Sequence, residues 1–176
     1  MSNVRFTSFP RTKSPPHFTQ NIVDVFRAHE PSICTITLAK GLKSDEVLHR
    51  LCSDLQKLGF EVETGKKALE KIHRPVFFGE NGQARLQYQI DAFHNEWKCG
   101  LEVEAGRGSM GNAIYRDLVQ ALVMVELDYL VLAVANTYKF GGYTPSRDYE
   151  QAVKIADALY GHSRIQMPYR LLVIGY

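Results

Sequence analysis

Apolar positions along the chain recur with different periods, and each period predicts an element. Val47, Leu48, Leu51, Leu55 and Leu58 stand at helical spacing behind Ser44, Asp45 and Glu46, and Gly59 closes the run, which predicts an amphipathic core helix from Ser44. Val76, Phe77 and Phe78 form an apolar run ended by Gly79, Glu80, Asn81 and Gly82, where Asn-Gly tolerates positive φ at both positions and predicts a hairpin turn. In the returning strand Arg85, Gln87, Gln89 and Asp91 fall on one face, and Leu86, Tyr88, Ile90 and Ala92 on the other. A third strand is expected from about Trp97 to Ala105, with Cys99, Leu101, Val103 and Ala105 toward the core and Lys98, Glu102 and Glu104 opposite. The run 128–135 is apolar almost throughout and predicts a central strand buried on both faces.

The remaining patterns are shorter. A helical pattern from Thr19 (Ile22, Val23, Phe26) breaks at Pro31, and alternation over Ile33–Leu38 reads as a strand. Phe60–Thr64 suits a strand or an extended connector, and Lys66–Ile72 one or two helical turns. A helix is expected over 112–126, anchored by Ile114, Leu118, Leu122 and Val125, another over 148–160, and a last strand over 170–174. Residues 1–17, with Pro10, Pro15, Pro16, Arg11 and Lys13 and few apolar anchors, are expected to form a flexible N-terminal arm, leaving 18–176 as a single α/β domain.

Composition narrows the function classes. The net charge is +2, from 21 Lys and Arg against 19 Asp and Glu without a long basic block, so any contact with nucleic acid has to be local. Cys34, Cys52 and Cys99 are widely spaced and lack zinc-ligand spacing, so they read as reduced thiols. Neither a signal-peptide pattern nor 18 consecutive apolar residues occurs, and a soluble, cytoplasmic protein is expected, with no membrane partner.

Adjacent strands that place Asp91 beside Glu102 and Glu104 bring three like charges together, which raises their proton affinity and costs stability unless a cation intervenes. Oxygen-only ligands suit a hard ion such as Mg²⁺ or Mn²⁺. Spacing alone leaves a second reading open, a solvated sheet face whose carboxylates balance Lys98 and Arg85.

The order of elements separates the two. Helix, hairpin with Asp at the end of its second strand, strand with Glu-x-Glu, helix and buried strand, over roughly residues 44–135, resembles the PD-(D/E)XK nuclease superfamily. The resemblance implies a restriction-endonuclease-like three-layer α/β core with a central mixed sheet flanked by helices. Ile90-Asp91 looks like the metal-binding aspartate and Leu101-Glu102-Val103-Glu104 like the (D/E)-x-K element, with Glu104 where most members carry lysine. Glu-x-Glu, with Arg116-Asp117-Leu118 downstream, is similar to the BamHI/BglII-type restriction endonucleases.

The resemblance implies an Mg²⁺-dependent endonuclease acting on DNA, of restriction or repair type, and a homodimer if both strands are cut. Asp91, Glu102 and the Val103 carbonyl would hold the metal, and Glu104 would orient or deprotonate the attacking water. The alternative is an inactive descendant that keeps the fold as a nucleic-acid-binding or structural subunit.

Supporting candidates follow from position. Asn112, Arg116 and Gln120 share one helix stripe that could face a phosphate, and Arg107 lies just past the strand end. Glu46 and Glu70 are candidates for a further acid, and His73 and His94 flank the hairpin. Tyr138, Phe140, Tyr143 and Tyr149, with Lys139 and Arg147, could stack bases or pack on the core.

Overall fold

The computed structural model describes residues 2–105, 112–138 and 145–176. Its centre is set by the apolar run, which forms a strand over Tyr129–Val134 with every residue buried. Such a strand needs cover on both faces, and amphipathic helices supply it. In chain order the main elements are β1 (Arg5–Phe9), α1 (Phe18–Ile33), α2 (Ser44–Lys57), β2 (Glu61–Val62), β3 (Ile72–Phe78), β4 (Ala84–Ile90), β5 (Ala92–His94), β6 (Cys99–Glu104), α3 (Ala113–Val123), β7 (Tyr129–Val134), α4 (Asp148–Gly161) and β8 (Arg170–Gly175).

Six strands form one mixed sheet in the order β1-β8-β7-β6-β5-β2. The β6–β7 and β7–β8 pairs are parallel, while β1–β8, β5–β6 and β2–β5 are antiparallel. On one face Val131, Ala133, Leu101 and Val103 pack with Ile22, Phe26, Leu51 and Leu55 of α1 and α2. On the other, Leu130, Leu132 and Val173 pack with Ile114 and Leu118 of α3 and Ile155 of α4. The result is the expected three-layer α/β core, a central mixed sheet between helices. No described helix is long and apolar enough to cross a membrane.

β3 and β4 form a separate two-stranded ribbon. Asn81 (φ 58°) and Gly82 (φ 69°) turn it, as the Asn-Gly pair requires. The chain bends at Asp91 and continues as β5 in the main sheet. The expected three-strand meander is therefore divided: β5, not the hairpin, lies against β6, and its other neighbour is β2. The helical part of residues 66–72 is a single 3₁₀ turn, Ala68–Glu70, and Ile72 already belongs to β3.

Two other expectations are corrected. The N-terminal residues are not a loose arm, because β1 pairs with β8 along its whole length and Val4 and Phe9 are buried. Ile33–Leu38 is not a strand. Helix α1 continues through Pro31 to Ile33, whose side chain completes the buried stripe of Ile22 and Phe26, and residues 35–37 turn. Proline near a helix end removes only one internal hydrogen bond, and the buried Ile33 outweighs it.

Candidate active site

Strand alternation aims the acids. Leu101 and Val103 of β6 enter the layer of α1 and α2, so Glu102 and Glu104 face the opposite layer, where α3 crosses. Lys98 does not share their face: it sits in the turn before β6 at φ 46°, and its carbonyl accepts the Asp128 and Tyr129 N–H groups. Asp91 occupies the bend between ribbon and sheet, where β5 has not yet begun to pair with β6. Its Oδ2 accepts the Val103 N–H at 2.8 Å, which pins the carboxylate beside Glu102.

Asp91 and Glu102 line one cleft of about 410 Å³, together with Arg116, Asp117 and Gln120 of α3. Glu102 is 9% exposed. Arg116 donates to Glu104 Oε1 at 3.0 Å and lies 2.9 Å from Asp117 Oδ1. Asp117 is buried, and its Oδ2 meets no hydrogen-bond donor among the described residues. A larger cleft of about 920 Å³, between α2 and residues 63–66, shares only Glu63 with this one.

Burial dominates the electrostatics. It pushes the Asp91 carboxyl up to about 6, against the pull of the Val103 N–H, and the Glu63 charge adds to the rise. It holds Glu102 well above the ordinary carboxylate range, and the charges of Asp91, Asp117 and Glu104 push the same way. Glu104 is raised to about 8, first by burial and then by the charge of the neighbouring Asp117. Asp117 is raised by burial, while the Arg116 charge pulls it down. Four carboxylates thus meet one bridging guanidinium, and the excess negative charge is partly held off by protons.

The structure brings Asp91, Glu102, Arg116 and Gln120 to one cleft and links Glu104 to it through Arg116. Val103 contributes only its main chain here, its side chain being buried on the other face. Asn112 is exposed at the left-handed entry to α3 and is not part of the cleft wall. Arg107 lies outside the described residues, as do Lys139, Phe140 and Tyr143. Tyr149 is a core residue: it is buried, its hydroxyl lies 2.8 Å from Thr7 Oγ1, and Arg5 covers its ring.

Glu46 and Glu70 are not at the cleft. Each accepts the backbone N–H three residues before it, Lys43 and Lys67, and so caps its own helical turn. His94 is buried, with Nδ1 accepting the Trp97 N–H, so that Nε2 donates to the Leu58 carbonyl at 3.0 Å. Three charged residues of the cleft are not among the candidates the sequence offers: Asp117, and the ion pair of Glu63 with Lys71. Asp117 had a signal, since an acid at the i+3 position of the Ile114, Leu118, Ala121 stripe lies on the buried face. Glu63 and Lys71 lie in short, irregular segments with no periodicity to mark them.

No protein-family model matches the chain, and no curated protein matches it. Among solved structures, the fold is similar to that of the restriction endonuclease BglII in its crystal structure with a DNA 16-mer. The TM-score is 0.56 over 98% of this chain and 75% of that one, at 10% identity. The chain therefore has a restriction-endonuclease-like fold, with its carboxylate cleft at the junction of sheet, ribbon and crossover helix.

Proposed function

We propose that this chain is an Mg²⁺-dependent endonuclease that hydrolyses phosphodiester bonds in DNA. The observation that carries the reading is the pairing of Asp91 with Glu102 at one cleft, both with raised proton affinity and with too little cationic charge nearby. Buried like charges of this kind are relieved by a bound cation. The donor set fits a hard one: Asp91, Glu102 and the Val103 carbonyl would hold Mg²⁺ or Mn²⁺, and the unpartnered Asp117 Oδ2 marks the same shortage of positive charge. Among the described residues no three His, Cys, Asp or Glu side chains form a ready metal cage. Mg²⁺ does not require one, since it binds through one or two carboxylates plus water and substrate phosphate.

Such an ion, when bound, lowers the pKa of a coordinated water and polarises the scissile phosphate. The chain's own groups do the rest. Glu104, at the end of β6, would orient that water, and would accept its proton once a bound cation has displaced the proton Glu104 holds in the metal-free chain. Arg116, exposed on its outer side, is positioned to meet a phosphate oxygen. DNA as substrate class rests on the likeness to BglII, whose structure holds DNA. A homodimer would present two such clefts for cutting both strands.

The test is incubation of the purified protein with supercoiled, linear and single-stranded DNA plus Mg²⁺ or Mn²⁺. Wild type is expected to cleave and Asp91→Ala to be inert; equal behaviour of the two refutes the reading. One observation favours a second reading, a metal-independent nucleic-acid-binding descendant: Glu104 is already engaged by Arg116 and Asp117. Calorimetry separates them. Mg²⁺ binding that Glu102→Ala abolishes supports the enzyme, and DNA binding indifferent to both metal and that substitution supports the descendant.

A further inference from the structure

We infer that the β3–β4 ribbon is a sequence-reading element, whose outward face of Arg85, Gln87 and Gln89 reads base edges in the major groove of duplex DNA held at the carboxylate cleft. The inference rests on the nuclease reading for the placement of DNA and adds how that DNA is discriminated.

The two faces of the ribbon differ. Tyr88 and Ile90 turn inward against the core, and Arg74 stacks over Phe93 with its guanidinium 3.8 Å from the ring centre. The Pro75 carbonyl accepts the Val125 N–H at 2.8 Å, which ties the ribbon to the segment after α3. Arg85, Gln87 and Gln89 are all exposed on the other face, and His73 stands directly opposite Gln89. Gln87 and Gln89 are also walls of the cleft that holds Asp91. The polar row thus runs from the proposed site of chemistry to the ribbon tip without a break in the strand.

Chemistry and dimensions both point to duplex DNA as the occupant. Within 71–90 Lys71 pairs with Glu63 and Arg74 with Glu126, which leaves Arg85 on the outward face as the cation to meet a polyanion. The major groove, ~12 Å wide, admits a two-stranded ribbon, and Gln and Arg are the side chains that bond bidentately to adenine and guanine there. Successive outward residues stand ~6.8 Å apart along a strand, which is two steps of the ~3.4 Å base-pair rise. Gln89, Gln87 and Arg85 therefore match alternate base pairs. At the tip, a Cβ on Gly79 would stand 2.4 Å from Arg85 Cγ, so glycine leaves room for the Arg85 stem to lie across the turn.

The experiment is selection of bound duplexes from a random-sequence pool by the full chain in Ca²⁺, repeated with Gln87→Ala, Gln89→Ala and Arg85→Ala. Wild type is expected to enrich a motif. Each variant should lose preference at one position, by roughly 5- to 150-fold as for a bidentate base contact, with lost positions two base pairs apart. Unchanged circular dichroism, expected for exposed positions, separates this from misfolding.

A wild-type pool without a motif, a motif kept by all three variants, or equal loss on every sequence overturns the inference. Equal competition by duplex RNA, whose major groove side chains cannot read, does so too. Enrichment without metal-dependent cleavage would leave the ribbon reading standing and the nuclease reading refuted. Cleavage with an unaltered motif in the variants would do the reverse.

Discussion

Glu104→Gln is expected to stabilise the metal-free protein at neutral and alkaline pH. Glu104 is 15% exposed at its side chain, accepts from Arg116 at 3.0 Å and neighbours the Asp117 carboxyl, and its proton affinity in the folded chain is raised from 4.5 to about 8. Below pH about 4.5 both folded and unfolded chains carry this proton, and above about 8 neither does. Between those limits only the folded chain holds it, so stability falls as pH rises, by ~1.4 kcal/mol per pH unit per group. At pH 7 the accumulated penalty is on the order of 3 kcal/mol. Asp91, raised from 3.8 to about 6, adds a second slope at the acid end of the window.

A glutamine amide at 104 carries its donor permanently. It can bond Asp117 Oδ2 while its carbonyl still accepts from Arg116, and it has no proton to lose. Urea unfolding in EDTA at pH 5, 6, 7 and 8 reads the effect. With a slope of ~2 kcal/mol per molar urea, the variant's midpoint should exceed wild type by about 1.5 M at pH 7, and the gap should shrink toward pH 5. A midpoint difference that is zero, or that does not vary with pH, refutes the assignment of a raised, proton-holding Glu104.

Other outcomes follow from single contacts. Asp91→Ala should melt below Asp91→Asn by about 1–3 kcal/mol because it strands the buried Val103 N–H, while Asp91→Asn, which keeps an acceptor and has no charge to bury, should melt above wild type at neutral pH. In DNA titrations, Arg116→Ala should weaken binding evenly across sequences and reduce the slope of log affinity against log salt by about 1; an unchanged slope removes Arg116 from the phosphate contacts. Deleting residues 2–9 should destabilise the fold beyond the ~1.5–3 kcal/mol of burying Phe9 alone, because the edge of β8 is uncovered. Hydrogen exchange of residues 5–9 as fast as in a free peptide would contradict that pairing.

The legible parts of the site were those with a strict period and a marked register. Alternation of Leu101 and Val103 with Glu102 and Glu104 fixes which acids share a face, and the Asn81-Gly82 turn sets the phase that brings Asp91 to the strand end. Helix α3 was harder, because Ile114 and Leu118 fit two rotations. One continues through Leu122 and Val125, and the other takes in Asp117 and Ala121. Apolar counting prefers the first, yet Leu122 is 37% exposed and Asp117 3%. Among the described residues the cost of burying Asp117 is offset by its ion pair with Arg116, a contact the apolar stripe does not signal. β1 was missed for a related reason: Phe6, Thr7 and Ser8 carry a weak pattern, and the strand's partner lies at the far end of the chain.

That last pairing bears on how the molecule assembles. Arg5 lies opposite Gly175, so closing the β1 edge of the sheet joins segments separated by nearly the whole described chain. Contacts of such long range are entropically late to form. During synthesis β2 to β7, with Asp91, Glu102 and Asp117, all emerge before β8, while β1 waits unpaired with Val4 and Phe9 uncovered. Folding of the outer edge is therefore gated by β8, and a chain stalled before Arg170 would carry the cleft residues yet expose an unpaired edge of β7, which invites association with other chains.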